Sequence, residues 1–193
     1  KKAHEISNLD TEINPSLIIA GCGALGSKIA MHLVRSGITN ILFCDPDYLS
    51  DHNLCRHALL DKSVYKNKAS EMRSATNLIY YHEMLKADAS CRGIKTILGD
   101  AEIMSKRTPD YLLDFTASKV AHNQLVNIKN RPTAISAAIF DNGKFGLLMS
   151  EGNNGEVRLD DVMAAFFAQY KTDPIVSSYL MREKELSREP SSL

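Results

Sequence analysis

A glycine-rich turn between two apolar segments is the feature that most restricts how this chain can fold. The apolar residues 17–20 lead directly into Gly21, and Gly23 and Gly26 complete the spacing G-x-G-x-x-G. An amphipathic segment follows, and Gly37 is placed to end it as a helix. A strand that turns through glycines into a helix is the arrangement with which open α/β proteins bind nucleotide phosphates. The pattern therefore predicts a nucleotide site.

The three glycines have different predicted roles. A side chain at Gly21 would obstruct the tight turn, one at Gly23 would hold a phosphate away from the backbone, and one at Gly26 would separate helix from strand. The N–H groups at the start of the helix would then point at the phosphate. Helical spacing predicts a face packed on the sheet, formed by Leu25, Ile29 and Leu33. It predicts a solvent face that carries Ser27, Lys28 and Arg35.

A second short apolar run, residues 41–44, predicts a buried strand that ends at Asp45. An acidic side chain about 20 residues past the glycines suits the hydroxyl groups of a ribose. A glycine turn without a ligand is the competing interpretation, because the motif alone is weakly specific. The flanking strand and helix, with Asp45 in register, favour nucleotide binding.

The polar segment after Asp45 carries cations that a nicotinamide site does not need. Asp47 is followed by Asn53, Arg56 and Lys68. Arg56 and Lys68 would add donors near a triphosphate, where negative charge develops on the oxygens when the α-phosphorus is attacked. The alternative is a solvated loop and helix face, which is the usual place for charged side chains.

Together these motifs resemble the ThiF/MoeB/HesA superfamily of adenylating enzymes, which activate ubiquitin and ubiquitin-like or sulfur-carrier proteins. Its members show the glycine turn, a D-x-D pair, an N-L-x-R segment and a lysine, and the resemblance covers residues 17–69 and, more loosely, 111–150. It implies a phosphate loop lined by Gly21, Gly23 and Gly26. It implies that Asp45 binds the ribose, that Asp47 supports the loop, and that Asn53, Arg56 and Lys68 bind phosphates.

The resemblance also implies an activity. A carrier protein's C-terminal carboxylate would attack the α-phosphate of ATP and give an acyl-adenylate and pyrophosphate, with Arg56, Lys68 and Asp114 as the catalytic residues. ATP and Mg²⁺ would be the cofactors, the carrier the protein partner, and a homodimer the assembly. Two other functions remain open: an NAD- or FAD-dependent oxidoreductase, and a non-catalytic nucleotide-binding partner subunit.

Two departures from the family pattern affect the predicted site. His57 stands where relatives usually have glutamine after N-L-x-R. Relatives commonly read D-x-T-D-N at a second motif, where this chain has Asp114 to Ser118, so Ala117 occupies the metal-binding position. Asp114 remains as the candidate magnesium ligand, and Mg²⁺ bound to the triphosphate oxygens is the alternative.

The four cysteines and the overall charge exclude several classes of protein. No C-x-x-C pair is present, so we expect no structural zinc, and no transfer cysteine follows Cys91. Cys22 and Cys44 are predicted to be buried, and Cys55 to be an exposed thiol. Equal numbers of basic and acidic residues, 23 each, argue against nucleic-acid or membrane binding along the whole chain. Reduced thiols indicate the cytoplasm.

The expected architecture is a Rossmann-like, doubly wound α/β fold with a mostly parallel sheet and an antiparallel C-terminal hairpin. The hairpin follows from Asn142-Gly143 between two apolar runs. We expect an N-terminal helical arm at 1–15, an ATP-binding adenylation domain at 16–150, and a C-terminal helical extension with a frayed end at 151–193. Because Lys1 replaces an initiator methionine, we expect an excised domain or processed fragment.

Several element boundaries follow from local patterns. We predict a helix at 69–86 and a short helix that Asp100 caps and that runs through Lys106. We predict that Ser118 caps a further helix that runs to about Asn130, with Val120, Leu125 and Ile128 turned inward. We predict strands at 93–99 and 111–114. Beyond Ser150 we expect a flexible connection at 151–155, a helix at 162–170 and another beginning at Pro174.

Overall fold

The computed structural model describes residues 14–79, 87–140, 143–152 and 155–178. The predicted N-terminal arm and frayed C-terminus lie almost wholly outside these residues. The strands are β1 Leu17–Ala20, β2 Ile41–Cys44, β3 Asp88–Ser90, β4 Tyr111–Asp114, β5 Thr133–Phe140 and β6 Phe145–Ser150. The helices are α1 Ala24–Arg35, α2 Lys68–Asn77, α3 Ile94–Leu98, α4 Ala101–Arg107, α5 Lys119–Val126 and α6 Leu159–Ala168.

The six strands form one sheet in the order β3-β2-β1-β4-β5-β6. The first five are parallel, and β6 returns antiparallel to β5. The predicted fold class is thus confirmed, hairpin included. Because β1 lies between β2 and β4, the residues after β1 meet the ends of both neighbours at the carboxyl edge of the sheet, where ligands of such folds bind.

Alternate residues of the central strands pack into two separate cores. Ile19 and Phe43 face α1 and α2, where Val34 and Met72 are fully buried. Ile18, Leu42 and Leu112 face the other layer, which α3, α5 and α6 cover with Ile97, Leu125 and Leu159. A strand buried on both faces reads as a continuous apolar run, and this is the pattern of residues 17–20 and 41–44.

The buried face of α1 differs from the predicted one. Gly26, Ser27, Ala30 and Val34 are buried, whereas Leu25, Ile29 and Leu33 are only partly covered. Ser27 was predicted to face water, but its Oγ accepts a hydrogen bond from Ala58 N–H at 3.1 Å. Close approach of the helix to the turn favours small residues on the inner face, so hydrophobicity alone predicted the wrong face.

The predicted end of α1 is confirmed. Gly37 has φ +95°. Its N–H donates to the Val34 carbonyl at 2.9 Å, and the Ile38 N–H donates to the Leu33 carbonyl at 3.0 Å. This pair of bonds is a Schellman motif, which requires a left-handed residue that glycine adopts without strain.

The strand predicted at 93–99 is wrong. Residues 94–98 form α3, and the third strand is Asp88–Ser90, where no strand was predicted. Ile94, Ile97 and Leu98 are buried. Their spacing is that of one helical face, although the alternation of apolar and polar residues also fits a strand.

Several other boundaries and placements differ from the prediction. Helix α5 ends at Val126, and Val120 is 66% exposed, not turned inward. Helix α6 begins at Leu159, three residues earlier than predicted. Glu151 was placed in a flexible connection but forms a buried ion pair with Arg131. Helix α2 covers Lys68–Asn77, and residues 80–86 of the longer predicted helix lie outside the described residues.

Other local predictions are confirmed. Asp100 caps α4 by accepting from Ile103 N–H, and Ser118 caps α5 by accepting from Ala121 N–H. A helix begins at Pro174, as expected from the preceding aspartate. None of the helices in the described part of the chain has the length and apolar character needed to span a membrane.

Candidate functional site

The glycine turn is packed tightly on one side and open on the other. Gly21 has φ +85°, and a Cβ there would lie 2.8 Å from the Phe115 carbonyl carbon and the Thr116 nitrogen. A Cβ on Gly26 would collide with the Gly21 carbonyl oxygen. A Cβ on Gly23 would meet no described atom within 4 Å. Gly21 and Gly26 thus have the predicted packing roles, and the space in front of Gly23 is free for a ligand.

The start of α1 faces this open space. Gly23 is the N-cap residue of the 12-residue helix, and no described side chain caps it. The first N–H groups of a helix have no partner within the helix and carry a partial positive charge. They are therefore suited to a phosphate group.

Two buried side chains hold Cys22, which lies within the turn. The Asp45 Oδ2 accepts from Cys22 N–H at 2.7 Å. The His57 Nε2 lies 2.6 Å from the Cys22 carbonyl oxygen, and the Leu59 N–H donates to the His57 Nδ1 at 3.0 Å. Since Nδ1 accepts, the proton of a neutral ring is on Nε2, which donates to Cys22. The turn is thus held from both sides.

Asp45 directly follows β2 and is buried. Its Oδ1 accepts from Asp47 N–H at 2.8 Å. Burial raises the pKa of the Asp45 carboxyl, while the hydrogen bonds from Asp47 and Cys22 and the nearby Lys68 ammonium oppose this shift. The carboxylate therefore stabilises the turn itself, and its contact with a ribose stays a prediction.

Lys68 is held at the edge of the same site. Its Nζ lies 3.1 Å from the Asp47 Oδ2, and its side chain is only 12% exposed. Asn67 fixes the backbone here, because its Nδ2 donates to the carbonyl oxygens of Asp45 and Asp47 at 2.8 and 3.1 Å. The structure thus brings together the glycine turn, the D-x-D pair and the lysine.

Asn53 and Arg56 lie on the neighbouring loop. Asn53 ends the short 3-10 helix Asp51–Asn53, and its Oδ1 accepts from Ser50 N–H at 3.1 Å. The Arg56 side chain is exposed. The His57 ring ties this loop to the glycine turn, directly after Arg56. Phosphate binding by Asn53 and Arg56 stays a prediction.

Asp114 is committed to contacts within the protein. Its Oδ1 accepts from Thr116 N–H at 3.0 Å and from Thr116 Oγ1 at 2.7 Å, and its Oδ2 accepts from Ser136 Oγ at 3.3 Å. Ala117 contributes no carboxylate, and the described residues contain no group of three or more His, Cys, Asp or Glu that could hold a metal. Asp114 thus accepts three hydrogen bonds within the protein, and its role as a magnesium ligand stays a prediction.

A cavity of about 250 Å³ lies beside Asp114, between α5, α6 and the hairpin. Asp114 and Ser136 give it a polar end, and Leu147, Met149 and Phe166 contribute apolar walls. His122 also lines it and is half-buried. The cavity was missed because its walls come from segments far apart in the chain.

Ala117 adopts a left-handed conformation, with φ +51°. That region costs an ordinary L-residue about 1–2 kcal/mol, and asparagine and glycine adopt it more readily. We expect Ala117→Asn to raise the free energy of unfolding by about 1 kcal/mol. Urea denaturation measures this change.

Ala164→Gly is the matched control, because Ala164 is exposed within α6. It should lower the free energy of unfolding by about 1 kcal/mol. The prediction fails if Ala117→Asn is also destabilising.

Comparisons with known proteins agree with this geometry. A sequence model of the ThiF family matches residues 12–155. The protein named "ATP-dependent ubiquitin transferase-like protein Cap2", from Enterobacter hormaechei subsp. hoffmannii (strain UCI 50), is 35% identical over 103 residues. The match covers 52% of this chain but only 16% of Cap2.

Solved structures show the same fold. Crystal structures of E. coli MccB include one with ATP, which has a TM-score of 0.57 and 21% identity and covers 72% of this chain and 42% of MccB. TcdA (CsdL) has a TM-score of 0.52 and 23% identity, with 65% of this chain and 48% of TcdA covered. This chain therefore spans less than half the length of either structure.

Proposed function

The chain belongs to the ThiF family, and from that premise we propose that it is an ATP-dependent adenylyltransferase. Its substrate would be the C-terminal carboxylate of a ubiquitin-like or sulfur-carrier protein. The observation that carries the proposal is the open glycine turn at the start of α1 with the Lys68 ammonium held beside it.

In the proposed reaction, one carboxylate oxygen forms a bond to the α-phosphorus of ATP. The bond from that phosphorus to the bridging oxygen of the β-phosphate breaks, and pyrophosphate leaves with the electron pair. A carboxylate is already a nucleophile, so the protein needs to position the reactants and stabilise charge. The N–H groups of α1, with Lys68 and Arg56, would supply that positive charge.

The relatives support this reaction and its partner. Cap2 carries the name of an ATP-dependent ubiquitin transferase-like protein. MccB has been crystallised with ATP and with MccA. We extend to this chain the use of ATP and of a peptide or protein substrate. The same proposal includes residues 16–150 as the adenylation domain, the pairing of two copies and a cytoplasmic location.

ATP–pyrophosphate exchange that depends on a carrier protein tests the proposal. We expect Lys68→Ala to lower the exchange rate by about 10²–10³-fold, because a cation at the reacting phosphates would be lost. Lys66→Ala is the matched control: Lys66 is more exposed, its Nζ lies 3.9 Å from Glu71, and it should leave the rate unchanged. An equal loss in both variants would contradict the assigned role of Lys68.

The engaged Asp114 and the alanine at 117 favour a second candidate function, a nucleotide-binding partner without catalysis. In that case the wild type binds ATP without exchange, and Ala117→Asp restores activity by adding a carboxylate. Family membership favours both candidates over a nicotinamide- or flavin-dependent oxidoreductase. Binding of NAD in place of ATP would reverse that order.

A further inference from the structure

His57 links the glycine turn to the Arg56 loop through both of its ring nitrogens. Nε2 bonds to the Cys22 carbonyl at 2.6 Å, and Nδ1 accepts from Leu59 N–H at 3.0 Å. The residue is only 9% exposed. This arrangement requires a neutral ring, because a protonated Nδ1 would point its hydrogen at the Leu59 N–H group.

The Cys22 contact bears directly on the open side of the turn. Asp45 holds the Cys22 N–H and His57 holds its carbonyl, so the two contacts together restrain the backbone of Cys22. Gly23 follows immediately and opens the helix whose N–H groups face the ligand space. Losing one of the two anchors would let these donors move. A preorganised set of donors binds an anion more tightly than a mobile set.

The groups around the ring determine its response to pH. Burial lowers the pKa of His57, the hydrogen bond to Cys22 raises it, the Lys68 and Lys28 ammonium groups lower it, and the Asp45 carboxylate raises it. The folded state thus disfavours the protonated ring. The stability that the neutral ring contributes is present above the unfolded pKa of about 6.5 and is lost as the pH falls from there towards the folded pKa.

We propose that His57 is a positioning residue that holds the phosphate-binding turn in its competent shape only while the imidazole is neutral. This inference rests on the proposed function, because it takes a nucleoside triphosphate as the ligand. A neutral amide side chain offers one donor and one acceptor, as the neutral imidazole does here, but does not titrate in this range. Glutamine therefore separates the geometry of the contact from its dependence on pH.

The test compares the wild type with His57→Gln and His57→Phe, and with His52→Gln as the matched control on the exposed 3-10 turn. ATP affinity is measured by calorimetry from about pH 5 to about pH 8, the range in which histidine titrates. We expect His57→Phe to bind ATP at least about tenfold more weakly at every pH, because the Cys22 carbonyl and the Leu59 N–H lose their partner.

The pH profile distinguishes positioning from packing. Near pH 8, His57→Gln should bind ATP with the affinity of the wild type. On acidification, its affinity should change only as far as the ATP phosphates themselves titrate. The wild type and His52→Gln should lose at least about a further tenfold in ATP affinity. Wild-type affinity in His57→Phe, or the same pH profile in wild type and His57→Gln, would overturn the proposal.

A second measurement needs no nucleotide. In the ligand-free protein, the amide resonances of Cys22 and Leu59 should shift with the titration of the His57 ring in the wild type and stay constant in His57→Gln. Wild-type amide resonances whose chemical shifts stay constant while the ring titrates would also overturn the proposal. If the wild type binds no ATP at any pH, the proposed function is contradicted. The amide resonances of Cys22 and Leu59 would then still show whether the His57 ring positions the turn.

Discussion

Replacing Gly26 by alanine is expected to lower the free energy of unfolding by about 3 kcal/mol or more. The added Cβ would collide with the Gly21 carbonyl oxygen, and it would lie 3.3 Å from the Phe115 Cβ. The obstructing atom belongs to the backbone of the turn, which Cys22 and its two anchors hold in place, so it cannot move aside cheaply. Chemical denaturation measures the loss.

Gly23→Ala should separate folding from binding in the same turn. No described atom lies within 4 Å of the new Cβ, and the backbone at Gly23 has φ −81°, which alanine adopts. We expect a loss of stability below about 1 kcal/mol, since alanine is a poorer N-cap than glycine. ATP affinity should fall by at least about tenfold, because the methyl group would occupy the ligand space.

Gly146→Ala serves as the control for both variants. Gly146 lies in β6, and no atom of the described residues lies within 4 Å of its added Cβ, so alanine should be neutral or stabilising by up to about 1 kcal/mol. If Gly26→Ala behaves like this control, the close contact between α1 and the turn is wrong. If Gly23→Ala binds ATP normally, the phosphate does not lie at this turn.

Glu151→Gln is expected to lower the free energy of unfolding by about 3–5 kcal/mol, because it leaves the Arg131 guanidinium buried without a counter-charge. The two side chains are 2% and 5% exposed and meet at 2.6 and 2.7 Å. Glu151 also accepts from Ala134 N–H and Leu159 N–H, each at 2.9 Å. The carboxylate thus connects β5, β6 and the start of α6.

The effect of Glu151 should depend on pH. Burial by itself raises the pKa of this carboxyl, but the hydrogen bonds from Arg131, Ala134 and Leu159 more than offset it and hold the pKa below its usual value. A lowered folded pKa means that the stabilisation is present above the unfolded pKa and is lost as the pH falls through the folded pKa. The difference between the wild type and Glu151→Gln should therefore shrink in acid.

Glu102→Gln is the matched control, because the Glu102–Lys106 pair is exposed and spaced i, i+4 on α4. It should change the free energy of unfolding by less than about 0.5 kcal/mol. Thermal or urea denaturation at several pH values compares the two substitutions. Equal effects would show that the Arg131–Glu151 pair is not isolated from solvent.

The sequence alone determined most of the main elements and the place of the turn. The sequence signals that succeeded each act over only a few residues. They are the apolar runs at 17–20 and 41–44, the glycine spacing, Gly37, the caps Asp100 and Ser118, and the Asn-Gly hairpin signal. Local backbone preferences and hydrophobic periodicity can be read from such short segments. The family pattern predicted the candidate ligand-binding residues, and their contact with a ligand stays a prediction.

Only the tertiary structure decided which side chains meet. Four features depend on partners from other segments of the chain. They are the buried face of α1, the helix at 94–98, the His57 contact with Cys22 and the Arg131–Glu151 pair. A polar residue in a loop has the same local signature whether it is solvated or buried against a distant backbone group. The free energy of burying a polar group depends on the partner that satisfies it, and the fold alone brings that partner close.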